Sequence, residues 1–142
     1  MGLLLESLVV RDLRVYAGAL DAWVLHYRDS TDPEADAIIE RRDGSWAAFE
    51  VKLGPGAVDE AGRTLLRVAE RIDADRHGAP VALAVITGWG YGHRRPDGVS
   101  VIPIGALALR AGLVEPYASL GLHSLDSTGQ VLVAFKHERT QA

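Results

Sequence analysis

A hairpin signal, Arg42-Asp43-Gly44, lies between two apolar segments and determines how they can pair. The segments span Glu34–Arg41 and Ser45–Leu53, and both are predicted to be β-strands. A two-residue loop and a three-residue loop would join them in registers that differ by one residue. We predict the three-residue loop, which pairs Arg41 with Ser45, because a left-handed glycine at the third position is its signature.

This register decides whether two acidic residues share a face of the sheet. In the three-residue loop, Asp36 lies directly opposite Glu50, with their β-carbons about 5 Å apart. In the two-residue loop, Asp36 would pair with Val51, and the two acids would lie on opposite faces. Lys52 follows Glu50 by two residues and therefore points to the same side of the strand. The sequence predicts that Asp36, Glu50 and Lys52 meet on one face, and we call these three residues the acid–lysine site.

Two carboxylates and a lysine on one face are what a metal-dependent phosphodiesterase needs. Asp36 and Glu50, together with a backbone carbonyl, would hold Mg²⁺ or Mn²⁺, and water would complete the octahedron. The metal would lower the pKa of a bound water and neutralise charge on the scissile phosphate, while Lys52 would orient that water or stabilise the developing negative charge. Glu6 is a further candidate, because an acid at the edge of an apolar helix face needs a metal or a lysine as its partner. The alternative is a solvated ion pair between Glu50 and Lys52, which would contribute little.

The rest of the chain is predicted to supply helices and further strands around this hairpin. Apolar residues recur every three or four positions from Leu5 to Leu20, which indicates an amphipathic first helix. The other predicted elements are a strand at Trp23–Asp29, a helix at Ala57–His77, strands at Val81–Thr87 and Val99–Ile102, and a short helix at Ile104–Ala111. The hairpin strands are antiparallel, whereas a crossover helix implies a parallel neighbour. We therefore expect an α/β fold with a mixed sheet flanked by helices, in the order helix-strand-strand-strand-helix-strand.

Composition limits the compartment and the partners. The chain has 142 residues, no cysteine and a net charge of −4. The absence of cysteine excludes a disulfide framework and a thiolate zinc site, and the negative charge argues against a large DNA-coating surface but not against a local basic groove. No segment approaches the roughly 18 apolar residues of a membrane span, and the apolar start lacks the basic region of a signal peptide. We predict a cytoplasmic protein without a membrane partner.

Three arginines outside the acid–lysine site are candidate nucleic-acid contacts. Arg28 lies at a strand end, where it would meet a phosphate or pair with a neighbouring acid. Arg94 and Arg95 follow the loop Gly88–Gly92, whose aromatic residues and basic end would suit a nucleic-acid backbone, although a flexible turn is the ordinary interpretation. A basic stripe on the second helix is interpreted as a solvated face that pairs with nearby acids; its members are Arg63, Arg67 and Arg71.

These residues together resemble a known nuclease superfamily. With Glu6 on the first helix, Asp36 on the second strand and Glu50-Val51-Lys52 on the third, the chain is similar to the PD-(D/E)xK nucleases, whose core is the restriction-endonuclease-like fold. More narrowly, it resembles the uncharacterised C-terminal domain of prokaryotic AAA-type ATPases over about residues 2–107. The segments that carry this narrower resemblance are Leu5–Val9, Tyr27–Asp29, Asp36–Ile38 and Phe49–Gly54.

The resemblance implies roles for individual residues. Asp36 and Glu50 would be metal ligands, Lys52 the catalytic lysine and Glu6 an accessory acid. Residues 1–112 would form a Mg²⁺-dependent nuclease or a nuclease-derived nucleic-acid-binding domain, and residues 113–142 a C-terminal extension that has no counterpart in the family. The chain has no Gly-x-x-x-x-Gly-Lys-Ser/Thr loop, so the ATPase part is absent and we expect no ATP site. The alternative is a catalytically inactive interaction module that binds an ATPase domain or a second copy of this chain.

Overall fold

The chain folds into a mixed α/β structure, as the sequence predicts. The computed structural model describes residues 2–19, 21–27, 34–108, 121–123 and 131–134. Its helices are α1 (Gly2–Ala19), α2 (Val58–Arg71) and α3 (Ala74–His77). Its strands are β1 (Ala22–Tyr27), β2 (Ala35–Arg41), β3 (Trp46–Lys52), β4 (Ala82–Thr87), β5 (His93–Arg94), β6 (Ser100–Pro103), β7 (Leu107–Ala108), β8 (Gly121–His123) and β9 (Val131–Ala134). Short 3-10 turns cover Pro55–Ala57 and Ile104–Ala106.

Six of these strands form one mixed sheet in the order β1-β2-β3-β4-β6-β5. The strands β1, β2 and β3 are antiparallel neighbours, whereas β3, β4 and β6 run parallel and β5 returns antiparallel to β6. The prediction of an antiparallel hairpin followed by a parallel neighbour is therefore confirmed. A second sheet has the order β7-β9-β8.

The hairpin between β2 and β3 has the predicted three-residue loop. The Arg41 N–H donates to the Ser45 carbonyl at 2.9 Å, and the Gly44 N–H donates to the Arg41 carbonyl at 2.9 Å. Gly44 has φ of 85°, in the left-handed region that a side chain disfavours. Along the strands Ala37 pairs with Phe49, which is the register of the three-residue loop.

Two helices cover the two faces of the large sheet. Helix α1 packs on the face that carries the odd-numbered side chains of β3, and α2 packs on the face that carries the even-numbered ones. The first layer includes Val9, Leu13, Ala37, Ile39, Phe49 and Ile86, and the second includes Ile38, Trp46, Ala48, Leu65, Val68 and Val85. Strand β3 is apolar on both faces because it lies between two layers, as expected for a central strand.

The prediction of a single helix over Ala57–His77 is wrong. Helix α2 ends at Arg71, and Ile72 has an extended conformation with φ of −78° and ψ of 125°. A new short helix, α3, then begins after Asp73, whose carboxylate accepts hydrogen bonds from two backbone N–H groups of that helix at 3.0 and 3.3 Å. An aspartate before a helix satisfies N–H groups that otherwise have no partner, so it favours a restart over a continuous helix.

Two segments near the end of the large sheet also differ from prediction. Within the loop that follows β4, residues 93–94 form the edge strand β5. The predicted short helix at 104–111 is instead a 3-10 turn followed by β7, which pairs in parallel with β9. Residues 109–111 lie outside the described part of the chain. Strands β8 and β9 fall within the predicted extension 113–142, and the boundary after residue 112 stays a prediction.

None of the helices in the described part of the chain combines the length and the apolar character that a membrane crossing needs.

Candidate active site

The structure brings the acid–lysine site together on the face of the sheet that α2 covers. Ala37 pairs with Phe49, so one further step along the same register sets Asp36 against Glu50. Glu50 and Lys52 lie on β3 beside Val85 and Thr87 of β4. Because directly paired residues share a face, the two carboxylates and the lysine point to the same side.

Glu50 is the buried member of the acid–lysine site. The residue is 8% exposed, although it carries a carboxyl group. Apart from Lys52, the other residues of its strand are apolar. Its Oε1 lies 3.3 Å from the Lys52 Nζ. Its Oε2 is also buried, and none of the described residues forms a hydrogen bond with it. A buried carboxylate oxygen without a partner costs free energy, so this atom is where a further ligand would be stabilising.

The surroundings raise the pKa of Glu50 from its ordinary value of 4.5 to about 7. Burial is the main cause, and the negative charge of Asp36 acts in the same direction. Lys52 lowers the pKa through its positive charge and its hydrogen bond, but it does not outweigh the other two effects. Near pH 7 the Glu50 carboxyl is therefore about half protonated, because Lys52 does not fully compensate its ionised form.

Asp36 is fixed by the backbone of the neighbouring strand. Its Oδ2 accepts a hydrogen bond from the Val51 N–H at 2.7 Å, which ties the carboxylate to the segment between Glu50 and Lys52. A charge-assisted bond of this length is among the stronger hydrogen bonds in proteins, so the orientation of the carboxylate is well defined. Asp36 is half-buried at the end of β2.

These residues fit a small divalent cation with several waters. Mg²⁺ is commonly bound through one or two carboxylates and keeps water in its other positions. The unpartnered Oε2 of Glu50 and the carboxylate of Asp36 supply oxygen donors of this kind. Within the described residues, no group of three or more histidine, aspartate or glutamate side chains is placed to hold a metal. The chain would therefore contribute two carboxylates rather than a complete protein cage.

Glu6 is not brought into the acid–lysine site. It is half-buried on α1, which packs on the opposite face of the sheet. Across the described residues, no hydrogen bond or ion pair joins it to Asp36, Glu50 or Lys52. The first turn of α1 does reach the end of β4, since a β-carbon added to Gly88 would lie 3.2 Å from the Leu5 Cδ2. Glu6 thus lies on a turn near this edge of the sheet, outside the pair of facing carboxylates.

The three predicted nucleic-acid contacts have three different outcomes. Arg28 lies outside the described residues. Arg94 is exposed on β5, but it pairs with Ser100, which faces the α1 side of the sheet together with Ala84 and Ile102. It therefore lies on the opposite face from Lys52.

Arg95 holds two segments of the protein together. Its guanidinium forms an ion pair with Asp97 at 2.8 Å and a second one with Asp59 on α2. The hydrogen bonds that the Arg95 guanidinium donates to the carboxylates of Asp97 and Asp59 raise the pKa of Arg95, and only 14% of its side chain is exposed. An arginine with two carboxylate partners has little remaining capacity for a phosphate, so its contacts indicate a structural role. Asp59 consequently pairs with this arginine rather than with the basic stripe on its own helix.

Gly88 and Trp89, which follow β4, contact the backbone at and just beyond Lys52, and sequence analysis did not predict these contacts. The Gly88 N–H donates to the carbonyls of Lys52 and Leu53 at 3.1 and 3.0 Å. The next side chain, Trp89, lies against Gly54, where an added β-carbon would be 3.1 Å from the indole. Thr87, which is 1% exposed, lies directly beside Lys52. The sequence signals that could have predicted these contacts are the polar Thr87 and the following Gly88, at the end of an apolar strand.

Comparison with known proteins identifies one family. The family described as "Domain of unknown function (DUF4143)" matches residues 1–107, and such domains are found in AAA-ATPase-associated proteins. The predicted association with a domain of AAA-type ATPases, over residues 2–107, agrees with this match. No curated protein and no solved structure matches the chain.

Proposed function

This chain belongs to the DUF4143 family, and on that premise we propose that it is a Mg²⁺-dependent phosphodiesterase domain of the PD-(D/E)xK type that acts on nucleic acid. One observation carries the proposal. Glu50 is a buried acid with an unpartnered oxygen, and it lies opposite a second acid and two residues before a lysine.

Charge balance is the physical argument for a cation. When both carboxylates are ionised, Asp36 and Glu50 carry two negative charges, and Lys52 supplies one positive charge. Lys52 also keeps 35% of its side chain exposed, so its charge is partly screened by water. A divalent cation that met both carboxylates would remove the repulsion between them and provide a partner for the Glu50 Oε2.

The residues of the acid–lysine site would divide the work. Asp36 and Glu50 would hold the cation, and the Val51 N–H keeps the Asp36 carboxylate in place. When bound, Mg²⁺ activates a water and neutralises phosphate charge. Lys52 has an ammonium group at the open side of the site, where it would hold the attacking water or donate to a phosphate oxygen as negative charge develops.

The first test is thermal melting of metal-free wild type and of Glu50→Gln with and without millimolar Mg²⁺ or Mn²⁺. At about a hundred times its dissociation constant, a ligand stabilises the native state by roughly 2.7 kcal/mol. We expect wild type to gain roughly 8 °C in melting temperature. We expect Glu50→Gln and Asp36→Asn to gain little, and the exposed control Glu70→Gln to behave as wild type. Equal shifts in Glu50→Gln and wild type would refute binding at this site.

A second experiment separates metal binding from catalysis. Lys52→Gln keeps both carboxylates, so we expect its metal-induced shift in melting temperature to remain. Its cleavage of labelled single-stranded and duplex oligonucleotides should fall by at least about a hundredfold if the lysine acts on the transition state. Absence of cleavage by wild type on every substrate, with the metal shift intact, would indicate a binding domain derived from a nuclease.

A second candidate function, an interaction module, is favoured by exposed apolar residues on the edge strand β1. We call this pair the apolar rim, and it consists of Trp23 and Leu25, which are two residues apart on β1 and therefore point to the same face of the sheet. Trp23 is 50% exposed and Leu25 is 46% exposed. Clustered exposure of this kind marks interaction surfaces, and the candidate partners are a second copy of this chain or an ATPase domain.

A further inference from the structure

Two exposed aromatic residues follow directly on the strand beside the acid–lysine site. Trp89 is 62% exposed and Tyr91 is 83% exposed, within the sequence Gly88-Trp89-Gly90-Tyr91. Single exposed apolar side chains are ordinary on protein surfaces. Two aromatic rings in three residues, at the edge where β3 and β4 end, require a more specific explanation.

The loop that carries these rings is attached to the backbone of the site itself. The Gly88 N–H donates to the carbonyl oxygens of Lys52 and Leu53. Lys52 is also paired with Thr87 in the parallel ladder between β3 and β4. Trp89 therefore follows Thr87, the neighbour of Lys52, by two residues. A single bound nucleic-acid strand would be able to contact both Trp89 and Lys52.

Trp89 is held in place although most of its side chain is open to solvent. Its indole lies against the backbone of Gly54, and a β-carbon there would be 3.1 Å from the indole Nε1 and Cζ2. Gly54 has φ of −141° and ψ of 174°, an extended conformation that any residue adopts. The absence of a side chain at position 54 thus provides room for the indole rather than relief from backbone strain. Tyr91 in turn lies 6.0 Å from the ring of His93 at an angle of 52°.

We propose that Trp89 and Tyr91 form a stacking surface for the unpaired bases of a single-stranded nucleic acid at the edge of the acid–lysine site. The proposal rests on the proposed function and narrows its substrate class. Aromatic side chains bind bases through their flat faces, which are covered by neighbouring pairs in a duplex and open in a single strand. Lys52 supplies positive charge for the phosphate backbone of the same strand at that edge.

The test measures fluorescence anisotropy of a labelled single-stranded oligonucleotide and of a duplex of the same sequence, in EDTA to prevent cleavage. We expect wild type to prefer the single strand. We expect Trp89→Leu, which keeps apolar bulk over Gly54 but cannot stack, to bind it about tenfold more weakly. Trp89→Phe should restore most of the affinity. Trp23→Ala is the matched control, because Trp23 is also a half-exposed tryptophan but lies on β1, at the opposite edge of the sheet from β5.

Gly54→Ala provides an independent arm, because it leaves every aromatic residue in place. The added methyl group would displace the indole, so we expect it to weaken single-strand binding while the metal-induced melting shift remains. Equal affinity of Trp89→Leu and wild type, or a preference of wild type for the duplex, would overturn the stacking surface. If the metal-induced shift persists in that case, the phosphodiesterase proposal still stands. If the shift is absent while Trp89→Leu weakens binding, only the phosphodiesterase proposal fails.

Discussion

Glu50 combines three properties at the scale of a single residue. It is an acidic side chain on a central strand, its Oε2 has no hydrogen-bond partner in the part of the chain that the structure describes, and its pKa is raised to about 7. Burial and the charge of Asp36 both disfavour its ionised form, and the ion pair with Lys52 offsets only part of that cost. The ionised Glu50 carboxylate lowers the stability of the fold, and a bound cation would offset that loss. The energetics of Glu50 are therefore consistent with the proposed metal-dependent chemistry.

The raised pKa of Glu50 predicts a specific dependence of stability on pH. The folded protein holds this proton more tightly than the unfolded chain, so the contribution is complete below pH 4.5 and is lost as pH rises to about 7. Glu50→Gln removes the titration. In EDTA we therefore expect it to be more stable than wild type at pH 8, by up to about 3 kcal/mol, and similar at pH 4. Urea unfolding at both pH values measures the difference.

Two comparisons make this pH experiment decisive. Glu70→Gln, an exposed change on α2, should follow wild type at both pH values. Addition of Mg²⁺ at pH 8 should narrow the gap between wild type and Glu50→Gln, because the cation stabilises only the carboxylate. A Glu50→Gln variant that is less stable than wild type at pH 8 would show that the ion pair with Lys52 outweighs burial.

At the scale of elements, the hairpin of β2 and β3 assembles the site. Its loop is stabilised by Asp43, whose Oδ1 accepts hydrogen bonds from the Ser45 N–H at 2.9 Å and the Ser45 hydroxyl at 2.6 Å. These bonds lower the pKa of Asp43. Because the loop sets the register, it also decides that Asp36 faces Glu50 rather than lying on the other side of the sheet.

We predict that Gly44→Ala destabilises the protein by about 1–2 kcal/mol, because a β-carbon is disfavoured at φ of 85°. Chemical denaturation provides the measurement. Gly56→Ala is the matched control, since an added β-carbon there meets nothing within 4 Å and no left-handed backbone is involved. We expect the folded Gly44→Ala protein to keep its metal-induced shift. Equal stability of Gly44→Ala and Gly56→Ala would contradict the argument from backbone strain.

At the scale of the whole molecule, the two faces of the sheet are covered but one edge is not. Strand β1 has β2 as its one neighbour among the described strands of its sheet. Its sequence, Ala-Trp-Val-Leu-His-Tyr, contains no acidic residue, lysine, arginine or proline. Edge strands without such residues are prone to pair with other chains, and here the apolar rim adds exposed side chains around the edge. The molecule thus presents a candidate interaction surface away from the stacking surface.

This surface predicts concentration-dependent self-association. We expect sedimentation velocity of wild type to show a monomer–dimer equilibrium in the high micromolar range. A double variant, Trp23→Lys with Leu25→Lys, should shift that equilibrium to monomer, because charge on an edge strand opposes pairing. Trp89→Lys is the control, because Trp89 follows β4, which lies three positions from β1 in the sheet, and this change should leave the equilibrium unchanged. A wild type that stays monomeric throughout would leave an unrelated protein, such as an ATPase domain, as the partner to test.

Features that depend only on neighbouring residues are predictable from the amino-acid sequence. The glycine at position 44 requires a left-handed turn, and that turn sets the pairing of Asp36 with Glu50. The spacing of apolar residues determined α1, and the alternation of side chains placed Lys52 beside Glu50. Such features are predictable because steric limits and hydrogen bonds within a few residues are enough to fix them.

Which of these groups are buried, and what they contact, depends on how the helices and strands pack together. The raised pKa of Glu50 requires a helix and two layers of apolar side chains above and below β3. Arg95 finds Asp59 at a separation of 36 residues, which turned a predicted nucleic-acid contact into a link to α2. The contact between the Trp89 indole and Gly54 likewise joins the ends of β3 and β4. Burial and ion pairing depend on contacts between segments remote in sequence, which local patterns do not specify.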